Sequence, residues 1–115
     1  MEFERQKVNL LAKSIQGFVK FVNRSYTERF LSISNPEKLY RLKLIIEEYN
    51  FSGIGSELER VNRHVWDGRA TGMLLERFKS ALGIVAEYIE NNENDLFIFT
   101  ARIYTLKSLM SSIRE

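Results

Sequence analysis

From Phe78 onward, apolar residues recur at steps of four and three: Leu82, Val85, Ile89, then, past Asn92, Leu96, Phe99, Ile103, Leu106, Met110 and Ile113. That period puts them on one side of an α-helix and leaves little room for a sheet. The one polar member is Asn92, inside the hydrophilic run ENNEND. Two readings of that run stand. In the first, one helix continues from Arg69 to Arg114, about 69 Å long at 1.5 Å per residue. Asn92 is then a buried polar residue that fixes register or partner number. A loop would scramble the phase, and chance agreement arises only about once or twice in seven, which favours continuity. In the second, Asn92 caps a new helix after a short turn. The stretch DLFIFT also has the look of a short buried strand, but the unbroken phase and the lack of a partner strand weigh against it.

The first half shows the same period. Val8, Leu11, Ile15, Phe18 and Val22 form one stripe, continued by Tyr26, Phe30 and Ile33 and broadened by Leu10, Val19, Phe21 and Leu31. A helix over about residues 2–33 follows. Its apolar face is wide enough to bury on both sides, which suggests a partner, a second copy included. Gly17 costs about 1 kcal/mol in a helix interior relative to Ala, and reads as a close helix contact. Asn35 and Pro36 suit the cap and first position of the next helix. That helix carries Leu39, Leu42, Ile45, Ile46 and Tyr49. NFSGIGSE then reads as an interruption, with Ser56 and Glu59 spaced as a capping box for a further short helix.

With 115 residues, one Pro and six Gly, the chain reads as a single helical domain over 1–115. The absence of Cys excludes disulfides, thiol catalysis and Cys-based zinc sites. The formal net charge of +2, with cations spread among acids, gives no footprint for nucleic acid or membrane. No run reaches transmembrane length, and MEFERQKVNLLAKS lacks the apolar centre of a Sec signal.

Candidate chemistry is sparse. His64 is the only histidine, and with Arg60 it forms an Arg-to-His pair at i, i+4. Such a pair resembles the motif of HEPN ribonucleases, where Arg holds phosphate and His moves a proton. Those enzymes resemble R-x(4–6)-H, and only three residues intervene here. A basic helix C-terminus explains Arg60, Arg63 and His64 as well. The acids show no metal-ligand spacing, and Gly53 and Gly55 lack the Lys-Ser or Lys-Thr of a phosphate loop. The expectation is no enzyme, no metal and no cofactor.

The chain's only Trp lies in HVWDGRAT. Val65 and Trp66 end one apolar stripe. Asp67 and Gly68 supply turn chemistry, Gly68 by a positive φ at the helix end and Asp67 as a cap for the next helix. Ala70 is small enough for the Trp ring to fold over. Trp66, Gly68, Ala70 and Phe78, with Leu82, Val85 and Ile89 following in phase, resemble the WXG-type helical hairpin proteins of type VII secretion. The closer resemblance is to the small helical partner proteins of LXG toxins. It covers about residues 40–110. The family's export signal resembles Tyr-x-x-x-Asp/Glu, whereas here Tyr88 is followed at that distance by Asn92.

The combined expectation is an all-α, elongated helical hairpin over about 36–114 with a Trp-x-Gly turn and an additional N-terminal helix. The resemblance implies a non-catalytic, chaperone-like partner or targeting factor for a type VII secretion substrate such as an LXG toxin. It implies a bacterial cytoplasmic protein, or one co-secreted without a Sec signal. Its seam of Phe78, Leu82, Val85, Ile89, Leu96, Phe99, Ile103 and Leu106 would be completed by a helical partner or a second copy, with Trp66, Gly68 and Ala70 shaping the turn. A small helical immunity or phage-encoded inhibitor protein is the alternative, and a HEPN-like ribonuclease a further one.

Overall fold

The structure, a computed structural model, describes residues 4–28, 35–64 and 66–113. All regular structure among them is helical: α1 (Arg5–Glu28), α2 (Pro36–Glu48), α3 (Phe51–Arg63), α4 (Gly68–Asn91), α5 (Glu93–Leu96), a 3-10 turn at Phe97–Phe99, and α6 (Thr100–Ser112). They make four arms. α1 is the first, α2 with α3 the second, α4 the third, and α5 through α6 the fourth.

Each arm runs antiparallel to the one before it. Arg5 donates to the carbonyl of Asn62, and Gln16 donates to the Ser52 carbonyl at 2.9 Å and to Ser56 Oγ at 3.0 Å. At the far end of the same pair, Tyr26 lies 5.7 Å from Tyr40, centroid to centroid. The second and third arms meet through Tyr88, which donates to the Lys38 carbonyl. The third and fourth meet through Lys107 and Glu90, 3.3 Å apart. Lys7 closes the ring by donating to the Ser112 carbonyl. The result is an up-down-up-down bundle, the arrangement short connections favour.

The apolar stripes are the cause. Val8, Leu11, Ile15, Phe18 and Val22 of α1 are all buried, as are Leu39, Leu42 and Ile46 of α2 and Ile54, Leu58 and Val61 of α3. One Phe from each arm meets at the centre. Phe78 lies 5.1 Å from Phe51, Phe51 lies 6.1 Å from Phe18, and Phe18 lies 6.4 Å from Phe99. Each buried side chain of this size stabilises the fold by about 1.5–3 kcal/mol.

Several expectations are corrected. The helix expected over residues 2–33 starts at Arg5, since Glu4 is not helical, and residues 29–34, with Phe30, Leu31 and Ile33, lie outside the described residues. It is no appendage to a hairpin but one of four arms around a shared core. The molecule measures 46 × 22 × 20 Å, so a continuous helix of the expected length has no place in it. The break falls at Asn92. Its N–H reaches back to the Ile89 carbonyl, its Nδ2 donates to the Tyr88 carbonyl at 2.8 Å, and its own carbonyl accepts from Leu96. Asn92 ends α4 and makes no side-chain cap for α5. DLFIFT is helical and 3-10, not a strand.

The glycine readings change too. The second arm bends at Tyr49–Asn50, not at the glycines. Asn50 has φ 54°, ψ 46°, the left-handed conformation Asn tolerates better than most residues, and its Oδ1 accepts from Gly53 N at 3.2 Å. Ser56 is therefore inside α3 and caps nothing; it accepts from Gln16 instead. The close approach of α1 is at Gly55, where a Cβ would lie 3.0–3.3 Å from Gln16, while a Cβ on Gly17 meets nothing within 4 Å. Gly68 has no positive φ; it is the first residue of α4.

Candidate protein-binding surfaces

Trp66 and Asp67 separate α3 from α4; Val65 lies outside the described residues. Asp67 is the N-cap of α4. Its Oδ1 accepts from the N–H of Arg69 at 3.0 Å and of Ala70 at 3.1 Å, and its carbonyl accepts from Thr71 Oγ1. These bonds occupy donors that the first helical turn otherwise leaves open. Trp66 is half-buried and packs against the core, as does half-buried Ala70. Arg5 sits 5.3 Å from its ring centroid, a cation over a π-face. The Trp thus ties the start of α1 to the connection between the second and third arms.

The seam residues Phe78, Leu82, Val85, Ile89, Leu96, Phe99, Ile103 and Leu106 come together, all nearly inaccessible. The chain itself covers them. The expected completion by an outside helix is supplied by α1 and by the second arm, because the fourth arm folds back and turns the seam inward.

Arg60 and His64 both lie at the C-terminal end of α3. The Arg60 guanidinium is held by Glu57, Nη2 to Oε2 at 2.8 Å, and that hydrogen bond draws the Glu57 carboxyl below its ordinary pKa. His64 is exposed at the end of α3, its N–H bonded to the Arg60 carbonyl. Arg63 pairs with Glu59 at 3.2 Å. Among the described residues no group of three His, Asp or Glu is placed to hold a metal ion, and no helix is long and apolar enough to cross a membrane.

The fourth arm carries a surface that the seam pattern concealed. Phe97 is 60% exposed and Tyr104 is 72% exposed. With Ala101 and Ser108 they follow at steps of four, three and four along its outer side, all exposed. Arg102 and Lys107 are the only charges of α6, and both are engaged. Arg102 lies 4.0 Å from the Phe21 ring centroid, and Lys107 pairs with Glu90. The sequence signal was present: residues 100–112 carry two charges, fewer than any other long helix among the described residues.

A shallow groove of about 330 Å³ lies between the bend of the second arm and α4, lined by Tyr49, Asn50, Ile54 and Ala81 with Glu48, Arg77 and Ser80 at its polar positions. Neither a protein-family model, nor a curated protein, nor a solved structure matches the chain.

Proposed function

We propose that this protein is a non-catalytic protein-binding module, acting as partner or targeting factor for a type VII secretion substrate such as an LXG toxin. The observation that carries the binding role is the exposed Phe97–Tyr104 face of the fourth arm, where the only charges of α6, Arg102 and Lys107, are both engaged. Aromatic side chains set in a neutral, accessible face are what protein interfaces concentrate. The connection to type VII secretion rests on Trp66, Gly68, Ala70 and Phe78, with Trp66 between two antiparallel arms. Because the seam is filled from within, the partner is engaged by the finished bundle's outer face rather than by the seam.

The test is co-expression with the LXG-domain toxin encoded nearest to this chain, followed by size exclusion. A single complex is expected, and Phe97→Arg with Tyr104→Arg should abolish it. A toxin that elutes separately from the wild-type chain overturns the reading.

The self-contained core favours a second reading, an immunity or inhibitor protein that binds one target as a rigid body. The same complex separates the two. Binding to the toxin's helical targeting domain supports the first, and binding to its toxic domain with loss of toxicity supports the second.

A further inference from the structure

The groove between the second arm and α4 has a charge on each wall: Glu48 on the second arm and Arg77 on α4. Among the described residues neither takes part in an ion pair. Apolar side chains stand beside both. On α4, Met73, Arg77 and Ile84 follow at steps of four and seven and so share one side of the helix. Met73 is 63% exposed and Ile84 40% exposed. On the second arm, Ile45 and Tyr49 are one turn apart, Ile45 half-buried and Tyr49 exposed.

The two walls run antiparallel, and their register is fixed at both ends. Tyr88 meets the Lys38 carbonyl, and Arg77 shares the groove with Glu48 and Tyr49. From those two contacts inward, Ile84 comes level with the stretch between Arg41 and Ile45. Met73 comes level with the first turns of α3, next to Tyr49.

The remaining charges fit the same frame. On the second arm, Lys38 and Lys43 are held by Asp95 and Glu47, and Glu57 and Glu59 by Arg60 and Arg63. That leaves Glu37 and Arg41, at eleven and seven positions before Glu48 and on its side of the helix. On α4, Lys79 shares the side of Glu90, eleven positions on, which pairs with Lys107 of the fourth arm. Arg69, Glu76 and Glu87 lie along the outer crest at steps of seven and eleven. There Glu87 comes level with Arg41, Glu76 with the uncharged Asn50, and Arg69 with the Glu57–Arg60 pair. The second-arm wall thus carries two acids and one cation, and the α4 wall carries the cation Arg77.

We propose that the groove is covered by a second copy of this chain, docked about a two-fold axis that runs along it. Such an axis lays the second arm of each copy on α4 of the other. Glu48 then meets Arg77 of the second copy, Ile45 meets Ile84, and Tyr49 meets Met73, each contact made twice. Charge complementarity selects this occupant, because a copy brings the same two walls in exchanged positions. The contact is isologous and closes at two subunits. The molecule is 46 Å long and 20–22 Å across, so a side two arms wide offers on the order of 900 Å², against roughly 800 Å² per partner in a standard interface. α6 packs on α1 and α4 and stands diagonally across from the second arm, so the dimer leaves Tyr104 accessible. The inference is independent of the secretion reading.

Sedimentation velocity of the chain alone tests it, over about 10 µM to about 1 mM. The wild-type weight-average mass should rise with concentration and level off at a dimer. Glu48→Arg and Arg77→Glu each set like charges together twice, and each should weaken association at least about tenfold, a change of about 1.4 kcal/mol. Mixing the two variants should restore it. Both contacts are then of opposite charge again, and in neither chain can position 48 pair with position 77 of the same chain. Ile84→Asp should also block association, with circular dichroism and melting confirming an intact bundle, whereas Phe97→Arg should leave the dimer as it is. A wild-type mass that stays monomeric or climbs past the dimer overturns the proposal. So does a mixture that stays monomeric, a dimer that survives Ile84→Asp, or one that is lost with Phe97→Arg.

Discussion

The Tyr88 hydroxyl donates at 3.0 Å to the backbone carbonyl of Lys38, fifty positions earlier in the chain. The Lys38 ammonium in turn pairs with Asp95 at 3.0 Å. One residue of α2 thereby holds both the end of α4 and the start of the fourth arm. Burial raises the Tyr88 pKa above 10, against the opposing pull of Arg41 and Lys38. In the unfolded chain Tyr88 loses its proton first. Its contribution to stability is therefore complete below the ordinary tyrosine pKa and is lost as pH rises above it. Spectrophotometric titration should show a tyrosine ionising above the ordinary tyrosine range. Tyr88→Phe should remove that late step and flatten the alkaline decline in stability.

The bend of the second arm offers a sharper test. A Cβ at Gly53 would lie 2.3–2.6 Å from the Asn50 side chain. Gly53→Ala must therefore displace the Asn50 cap, and should cost about 1 kcal/mol despite alanine's better helix propensity. In an Asn50→Gly background the left-handed backbone is kept and the obstacle is gone. There, Gly53→Ala should stabilise by about 0.5–1 kcal/mol. Urea denaturation of the four proteins gives the cycle, and equal effects of Gly53→Ala in both backgrounds would refute the cap.

Gly17→Ala and Gly83→Ala should each raise stability by about 0.5–1 kcal/mol, since space is open at both and neither backbone needs glycine. Thermal melts report this directly. A loss of stability at either site would mean that packing constrains it after all.

Phe51 touches both Phe18 and Phe78 and is fully buried. Phe51→Ala should cost about 3–5 kcal/mol, the range for an aromatic removed from a core. Phe97→Ala, on the exposed face, should change stability by less than about 0.5 kcal/mol. Comparable losses for the two would contradict the division of the fourth arm into an inner and an outer side.

Much of the fold was legible where local chemistry and burial agree. Asn35 accepts from the Glu37 N–H with Pro36 in the first helical turn, as the residue types require, and Asp67 caps α4 as its position suggests. The apolar periods of α1 and α4 named the core residues. At Asn92 the sequence leaves two readings open, and the one with a turn is what the structure has. Continuity is the favoured one because the two helices each carry their own apolar period, and their phases coincide across the turn without being joined. The bend at Asn50 escaped because the glycines beside it drew the reading, although the left-handed residue is the asparagine. Of the binding surfaces, Trp66 was legible as the residue between two arms. Phe97 and Tyr104 were not, since neighbouring Leu96, Phe99 and Ile103 carry the stronger repeat. Which side of the fourth arm faces out is decided by its reversal at Asn92, a tertiary event that local spacing does not encode.

The bond between Lys7 and the Ser112 carbonyl joins residues 105 positions apart. The contacts of Arg5 with Asn62, Tyr88 with Lys38 and Lys107 with Glu90 link neighbouring arms and can form as soon as the next arm exists. The Lys7–Ser112 bond, with Phe21 lying 5.3 Å from Phe99, joins the first arm to the fourth and must wait for both. Early pairing is local and of low contact order, so the first three arms can collapse quickly. Until the fourth arm has formed, one apolar side of α1 stays open, and that arm is what ends its exposure to aggregation.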